Sequence, residues 1–364
     1  MKDYITNETC IMFVPEYNKP LNQELLANYK KIIFSNYKLS NKLFEAYENN
    51  NWKKFKYIGS NFNQPLSNSL VVCTALTHIV FGWDFNQPLN NSLDNCASLS
   101  HLTFGQKFNQ PLNNSLNNSI ALTNISFGWS FNQPLNNSLD NCASLTHIAF
   151  GENFNQHLDS SLNNCIALTN ISFGWDFNCP LSNSLNNCTA LTHINFGCNF
   201  NQPLADSLDN CTALTHIIFG AHFNQPLHNS LCNLPSLIYI GLGDDFNQKE
   251  DLPFGIRSLT LKCNNKYYID YLPDTIEEIK FGIGFNLELD NLPSSIKKVI
   301  FMMGSKYDRK LNCLPANLQI LQLPALYHQK IEIIPKTLTK LICHCNYPYR
   351  KDFTDVQVET YAYG

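Results

Sequence analysis

Cysteine and histidine recurring at fixed intervals are the residues of this chain best suited to chemistry. Cys73, Cys96, Cys142, Cys165, Cys188 and Cys211 occupy one position of a 23-residue recurrence, with Ser119 interrupting the series. Thiols held about 5 Å apart by stacked strands could cross-link or hold a metal. Cysteine is also a small buried hydrophobe, and its exchange for Ser119 and Leu234 fits a packing slot better than a ligand slot. Cys343-His344-Cys345 has the residue types of a metal site. Strand alternation, however, sends His344 to the opposite face, and no second ligand pair stands at zinc-ribbon spacing. No metal, no cofactor and no catalytic residue is expected.

His78, His101, His147, His193 and His216 share one position of the same recurrence, with Asn124 and Asn170 in that column and Thr77, Thr123 and Thr146 beside it. Acid–base work would require a carboxylate or a dry pocket next to the imidazoles. The neighbouring threonines predict instead a solvated His/Asn/Thr surface. Trp83, Trp129 and Trp175 recur every 46 residues, and Asn124 travels with Trp129 as Asn170 does with Trp175. Duplication of a two-unit block explains the spacing. A tryptophan row just beyond a strand would equally serve as an anchor for a partner. These three tryptophans and five histidines are the candidate partner-binding residues.

The elements that position them come from the recurrence itself. Phe62, Phe85, Phe108, Phe131, Phe154, Phe177, Phe200, Phe223 and Phe246 follow one another at a spacing of 23, each followed by Asn. Upstream stands L-T-H-I-x-F-G, and downstream P-L-x-x-S-L-x-x-C. In L-x-x-I-x-F the last two apolar residues alternate with the period of a strand, so Ile79 and Phe81 point inward while His78 and Val80 point outward. Strands are predicted to centre on Ile79, Leu102, Ile125, Ile148, Ile171, Ile194, Ile217 and Ile240. Gly82 and its equivalents mark a corner that needs positive φ or close backbone approach. Phe85 fills the corner, Leu89 and Leu93 the far half of the coil, and the spacing of Ser92, Leu93 and Cys96 suits one short helical or 3₁₀ turn. The Asn column from Asn63 to Asn247 reads as a ladder that satisfies backbone groups of the next coil.

Such a unit has no closed core of its own and is stable only when stacked, which defines a repeat solenoid. The fold expected is leucine-rich-repeat-like, with a parallel β-sheet on the concave face and short turns or 3₁₀ segments on the convex face. One continuous solenoid is expected, in four stretches. Residues 1–50 are degenerate repeats or a cap, 51–250 regular 23-residue repeats, 251–345 shorter repeats of about 20 residues marked by Leu-Pro, and 346–364 a cap or tail. Within 24–50 a divergent coil with Tyr29, Ile32 and Phe34 inward competes with a small helical insertion.

Bulk properties narrow the partners. A formal net charge of -4, with only 15% charged residues, argues against nucleic acid and anionic membrane. The longest early apolar run, Ile11 to Val14, is far short of a signal-peptide core, and no run long enough to span a membrane follows. An intracellular, cytoplasmic protein with reduced cysteines is therefore expected.

The unit C-x-A-L-T-H-I-x-F-G-x-x-F-N-Q-P-L resembles the FNIP repeat, a leucine-rich-repeat relative found in proteins of social amoebae and of giant viruses that infect amoebae. The resemblance covers roughly residues 50–345, and C-x-x-L-T-x-I is also similar to BspA-type leucine-rich repeats. Some FNIP proteins carry an F-box or a kinase domain, and neither pattern is present here. The resemblance implies a non-enzymatic scaffold that binds a protein on its concave surface. A substrate-recruiting subunit of a ubiquitin-ligase-type complex and a structural component of a particle are the alternatives. Partner identity and oligomeric state are not read from the sequence.

Overall fold

The structure is a computed structural model that describes residues 3–40, 42–49, 55–227 and 230–362. The chain forms two compact units, Met1–Thr192 and His193–Gly364. In the first, β1 (Tyr4–Thr6) lies antiparallel to β2 (Cys10–Phe13). After α1 (Gln23–Leu26) comes β3 (Lys31–Phe34), and after α2 (Lys42–Glu48) come β4 (His78–Val80), β5 (His101–Thr103), β6 (Asn124–Ser126), β7 (His147–Ala149) and β8 (Asn170–Ser172). From β2 to β8 each strand pairs in parallel with the next, and the register sets Ile79 against Leu102, Ile125, Ile148 and Ile171 in turn. The strands centre where the apolar alternation places them.

Each coil buries the side chains that the pattern marks as inward. Leu76, Ile79, Phe81, Phe85, Leu89, Leu93 and Cys96 are all sealed from solvent. Two phenylalanine columns interleave at the corner. Phe81 stacks on Phe85 at 4.0 Å between ring centroids, and Phe85 lies 6.0 Å from Phe108 in the next coil. Full burial of one such side chain contributes roughly 1.5–3 kcal/mol.

Asparagine closes the corner. Asn63 Oδ1 accepts the Asn86 backbone N–H at 2.9 Å and the Gln87 side-chain amide at 3.1 Å. The same pair of bonds recurs from Asn86 to Asn109 and Gln110, and from Asn109 to Asn132 and Gln133. One amide thus satisfies a backbone donor that would otherwise be left unpaired in a tight, half-buried bend. The glycine column has the second of its two anticipated causes. A Cβ on Gly128 would lie 2.0 Å from the carbonyl oxygen of Gly105, so close backbone approach, and not positive φ, demands glycine there.

The far side of the coil is made of the expected short turns with 3₁₀-type bonding, not of a continuous helical turn. Ser92 N–H donates to Leu89 O, Asp94 N–H to Asn91 O, Cys96 N–H to Leu93 O and Leu99 N–H to Cys96 O. This is a succession of tight turns. The residue after each Leu sits in the left-handed region, as at Asn90, Asn113, Asn136 and Asp159, and that conformation interrupts a helix. Asparagine and aspartate tolerate it; alanine does so at a cost of about 1–2 kcal/mol. Ala205 holds φ 44° at this position. Ala205→Gly is therefore expected to raise the urea midpoint of unfolding, by about 1 kcal/mol of stability. An unchanged or lower midpoint would mean that the left-handed turn is not required there.

Residues 24–50 contain both of the anticipated alternatives. β3 is a true coil strand with Ile32 and Phe34 inward, whereas Tyr29 is only half-buried, and Leu26 of α1 is buried instead. Between Phe34 and its corner partner Phe62 the chain inserts a segment that carries α2. The rings of Phe34 and Phe62 still stack at 3.9 Å, so the coil closes around the insertion. Residues 41 and 50–54 within this stretch lie outside the described residues.

The second unit runs β9 (His193–Asn195), β10 (His216–Ile218), β11 (Tyr239–Leu242), β12 (Ser258–Leu261), α3 (Lys266–Asp270), β13 (Glu278–Phe281), β14 (Lys298–Phe301), β15 (Ile320–Gln322), β16 (Lys340–His344) and β17 (Gln357–Tyr361). All consecutive strands pair in parallel. In its shorter coils tyrosine takes over the corner. Phe246 and Tyr268 lie 5.8 Å apart, and the series continues from Phe285 through Tyr307 and Tyr327 to Tyr347. Among the described residues no helix is long and apolar enough to cross a membrane.

Candidate functional site

The parallel register turns each outward position of the first unit into a column. Lys31 lies beside His78, His78 beside His101, then follow Asn124, His147 and Asn170. The rings of His78 and His101 stack face to face, 4.2 Å apart and 6° from parallel. His147 stands in the same column but is separated from that pair by Asn124.

A neighbouring hydroxyl fixes the proton on each imidazole. Thr77 Oγ1 donates its single proton to Lys30 O at 3.0 Å, so its contact with His78 Nδ1 at 2.8 Å requires the ring nitrogen to donate. Ser100 does the same for His101, giving its proton to Thr77 O and lying 2.9 Å from Nδ1. Thr146 repeats the arrangement for His147. With Nδ1 protonated, Nε2 is left as an acceptor. Desolvation, together with His101 and Lys31, pushes the His78 pKa down to about 4. Desolvation, Lys31 and His147 lower that of His101. At neutral pH the stacked pair therefore presents uncharged acceptors.

The insertion shapes one end of this column. Leu43 and Ala46 of α2 pack on Cys10, Met12 and Ile33, with Phe44, Tyr47 and Val80 around them. The outward face of β2 to β4 is thereby covered, leaving a cavity of about 250 Å³ lined by Cys10, Lys31, Ile33, Phe44, Tyr47, His78, Val80 and His101. No carboxylate is among these lining residues.

The tryptophans follow the strands at the corner. Trp129 and Trp175 are 57% and 58% exposed. Trp83 is half-buried, because Tyr57 from the insertion meets it edge-on at 5.4 Å.

In the second unit His193 and His216 stack at 4.4 Å, and Tyr239 continues the column 5.3 Å from His216. Desolvation and then His193 lower the His216 pKa. Beyond Tyr239 the outward face changes character. Glu278 pairs with Lys280 at 2.8 Å and with Lys298 at 3.1 Å, and Glu277 pairs with Lys297 at 2.9 Å. Sequence reasoning did not single out this ion-pair ladder, although its members recur at the 20-residue spacing of the Leu-Pro coils. Exposed pairs of this kind contribute only about 0–1 kcal/mol each, so they define the chemistry of the surface more than its stability.

The cysteine column lies inside. Cys73, Cys96, Cys142, Cys165, Cys188 and Cys211 are all buried. Burial, with Cys73 and Asp94 adding to it, pushes Cys96 up to about 12. Burial and Asp140 do the same for Cys142, and burial for Cys211. Thiols held protonated in apolar surroundings are poor nucleophiles and poor ligands. Cys343 is buried while His344 faces the other side of β16. Among the described residues no group of three or more His, Cys, Asp or Glu could hold a metal ion.

Residues 112–238 match, in six copies, the family described as BspA type leucine rich repeat region. No curated protein matches the chain in sequence. Among solved structures, the chain is similar to that of the TLR13–ssRNA13 complex, with 11% identity, a TM-score of 0.60, and coverage of 82% of this chain and 49% of that one. A chain of the Toll–Spatzle complex of Drosophila matches with 11% identity, a TM-score of 0.56 and coverage of 100% and 49%. An internalin from Listeria monocytogenes matches with 15% identity, a TM-score of 0.50 and coverage of 88% and 87%. The chain thus spans about half the length of the TLR13 and Toll-complex chains. Parallel one-residue-in-register strands, inward aliphatic columns and an asparagine ladder at each corner, together with these matches, make the chain a repeat solenoid of the leucine-rich-repeat type.

Proposed function

We propose that this chain is a non-enzymatic scaffold whose repeats are of the FNIP kind and whose outward strand face binds a protein. The observation that carries this reading is the outward surface of the first unit, where histidines, asparagines and threonines align in register and exposed tryptophans stand beside them. A surface rich in hydrogen-bonding groups and nearly free of charge suits a protein partner better than a polyanion. Toll is described in complex with Spatzle and TLR13 in complex with an RNA. The net charge of -4 favours the protein precedent for this chain. The alternative of a ubiquitin-ligase adaptor segment in residues 1–50 is weakened, since β2 and β3 there are strands of the solenoid.

The test compares immobilised wild-type chain with a variant carrying His101→Ala and His147→Ala, both checked by circular dichroism. A protein captured from a cell extract by the wild type and released by the variant supports the reading. Equal capture by both forms would move the binding surface away from the histidine column.

A further inference from the structure

Two outward columns of the first unit run side by side beneath α2. Cys10, Lys31, His78 and His101 follow one another in register across β2 to β5, and Met12, Ile33 and Val80 do so two residues further along their strands. The cavity of about 250 Å³ lies on both columns, with Phe44 and Tyr47 of α2 as its roof. It is a slot with polar groups along one edge of its floor and aliphatic side chains along the other. A cavity of about 150 Å³ is enough to hold benzene, so this one has room for a six-membered ring and its substituents.

The lining groups select what such a ring carries. Nδ1 of His78 is spent on Thr77 and Nδ1 of His101 on Ser100. Nε2 is then the only polar atom that either imidazole has left for a ligand, and it is an acceptor. Two acceptors on rings stacked 4.2 Å apart repel a carboxylate and receive a hydroxyl. Lys31, the one lysine of the lining, already has a partner. An amine finds no carboxylate among the lining residues. The Tyr47 hydroxyl is held by Ser35 and by the backbone of Asn36, so this residue contributes its ring. Phe44 and Tyr47 together favour an aromatic ligand, which gains edge-on or offset ring contacts beyond the area it buries.

We propose that this slot binds an uncharged phenol, its ring between α2 and the Ile33–Val80 edge and its hydroxyl donating to Nε2 of His78 or His101. This assignment goes beyond the protein-binding surface and does not rest on it, since His147 of that surface is not part of the slot. A free phenolic compound and the tyrosine side chain of a protein present the same ring and hydroxyl, and p-cresol stands for both.

The experiment titrates the full chain with p-cresol by calorimetry and follows the imidazole nitrogen resonances by NMR. Saturable binding is expected, with the Nε2 resonance of His78 or His101 moving as a hydrogen bond forms. Toluene, cyclohexanol, 4-methylbenzylamine and 4-methylbenzoate should each bind roughly tenfold more weakly or not at all, the effect of losing about one hydrogen bond or of burying a charge. Val80→Trp, which fills the slot from its apolar edge, should abolish binding. At least one of His78→Phe and His101→Phe, which keep a ring in the stack, should weaken it roughly fivefold to tenfold, with folding checked by circular dichroism. Should these variants not fold, the wild-type spectra decide, because bound p-cresol that leaves both Nε2 resonances unmoved overturns the assignment. Absence of p-cresol binding overturns it as well, and so does equal binding of any of the four analogues. N-acetyltyrosinamide separates the two sources. Binding equal to that of p-cresol assigns the slot to a tyrosine of a protein, and rejection assigns it to a free phenol.

Discussion

Replacing Gly128 by alanine is expected to destabilise the first unit by about 4 kcal/mol or more, beyond the range of ordinary point substitutions. The added Cβ would sit 2.0 Å from Gly105 O and 2.5 Å from Gly105 C. These contacts are with backbone, so no side-chain rotation relieves them, and the two coils would have to move apart by roughly 1 Å or more. That movement stretches the strand ladder, the Asn109-to-Asn132 bond at 2.9 Å and the Phe108–Phe131 stack at once. Gly284→Ala supplies the control. Nothing lies within 4 Å of a Cβ there and its φ is not left-handed, so a change below about 1 kcal/mol is expected. Chemical denaturation of both variants measures the difference. A Gly128→Ala midpoint equal to that of the wild type would show that the coils do not touch at this corner.

Phe154→Ala should cost about 3–5 kcal/mol. The ring is fully buried, stacks on Phe150 at 4.0 Å and lies 6.0 Å from both Phe131 and Phe177. Removing it leaves a void that neighbours fixed by their own ladders cannot fill. Because each coil is stabilised by the coils on either side, the loss should be local. Hydrogen exchange is expected to accelerate most around β6, β7 and β8, and least around β2. Uniform acceleration across the first unit would contradict nearest-neighbour stacking.

The legible part of the fold is the part that repeats. Ile79 and Phe81 inward with His78 outward follows from alternation alone, and recurrence at 23 residues places every equivalent at the same height of its own coil. The asparagine ladder was legible for the same reason, since Asn63 meets Asn86 only if coils stack in register. The far-side turns were legible only as a choice between a short helical turn and 3₁₀-type turns, because spacing does not reveal backbone φ. Leu89, Ser92 and Cys96 are compatible with either geometry, and only the left-handed residues at Asn90 and its equivalents decide between them. The tyrosine corner of the shorter coils left a signal in the 20-residue spacing of Tyr307, Tyr327 and Tyr347, obscured by the change from phenylalanine.

Sequence by itself determined the period, the inward columns, the strand centres and the buried place of the cysteines. Each depends on a residue and its copy one coil away, and stacking makes that relation local. Tertiary structure decided what no period contains. The Phe34–Phe62 stack at 3.9 Å lets the coil close around the insertion, and α2 then folds back over the outward face of β2 to β4, where Leu43 and Ala46 pack on Cys10, Met12 and Ile33. That placement gives the three tryptophans, all within Phe-Gly-Trp-x-Phe, different fates. Tyr57 reaches Trp83 and half-covers it, while Trp129 and Trp175, two and four coils further along, lie beyond the insertion and stand in solvent.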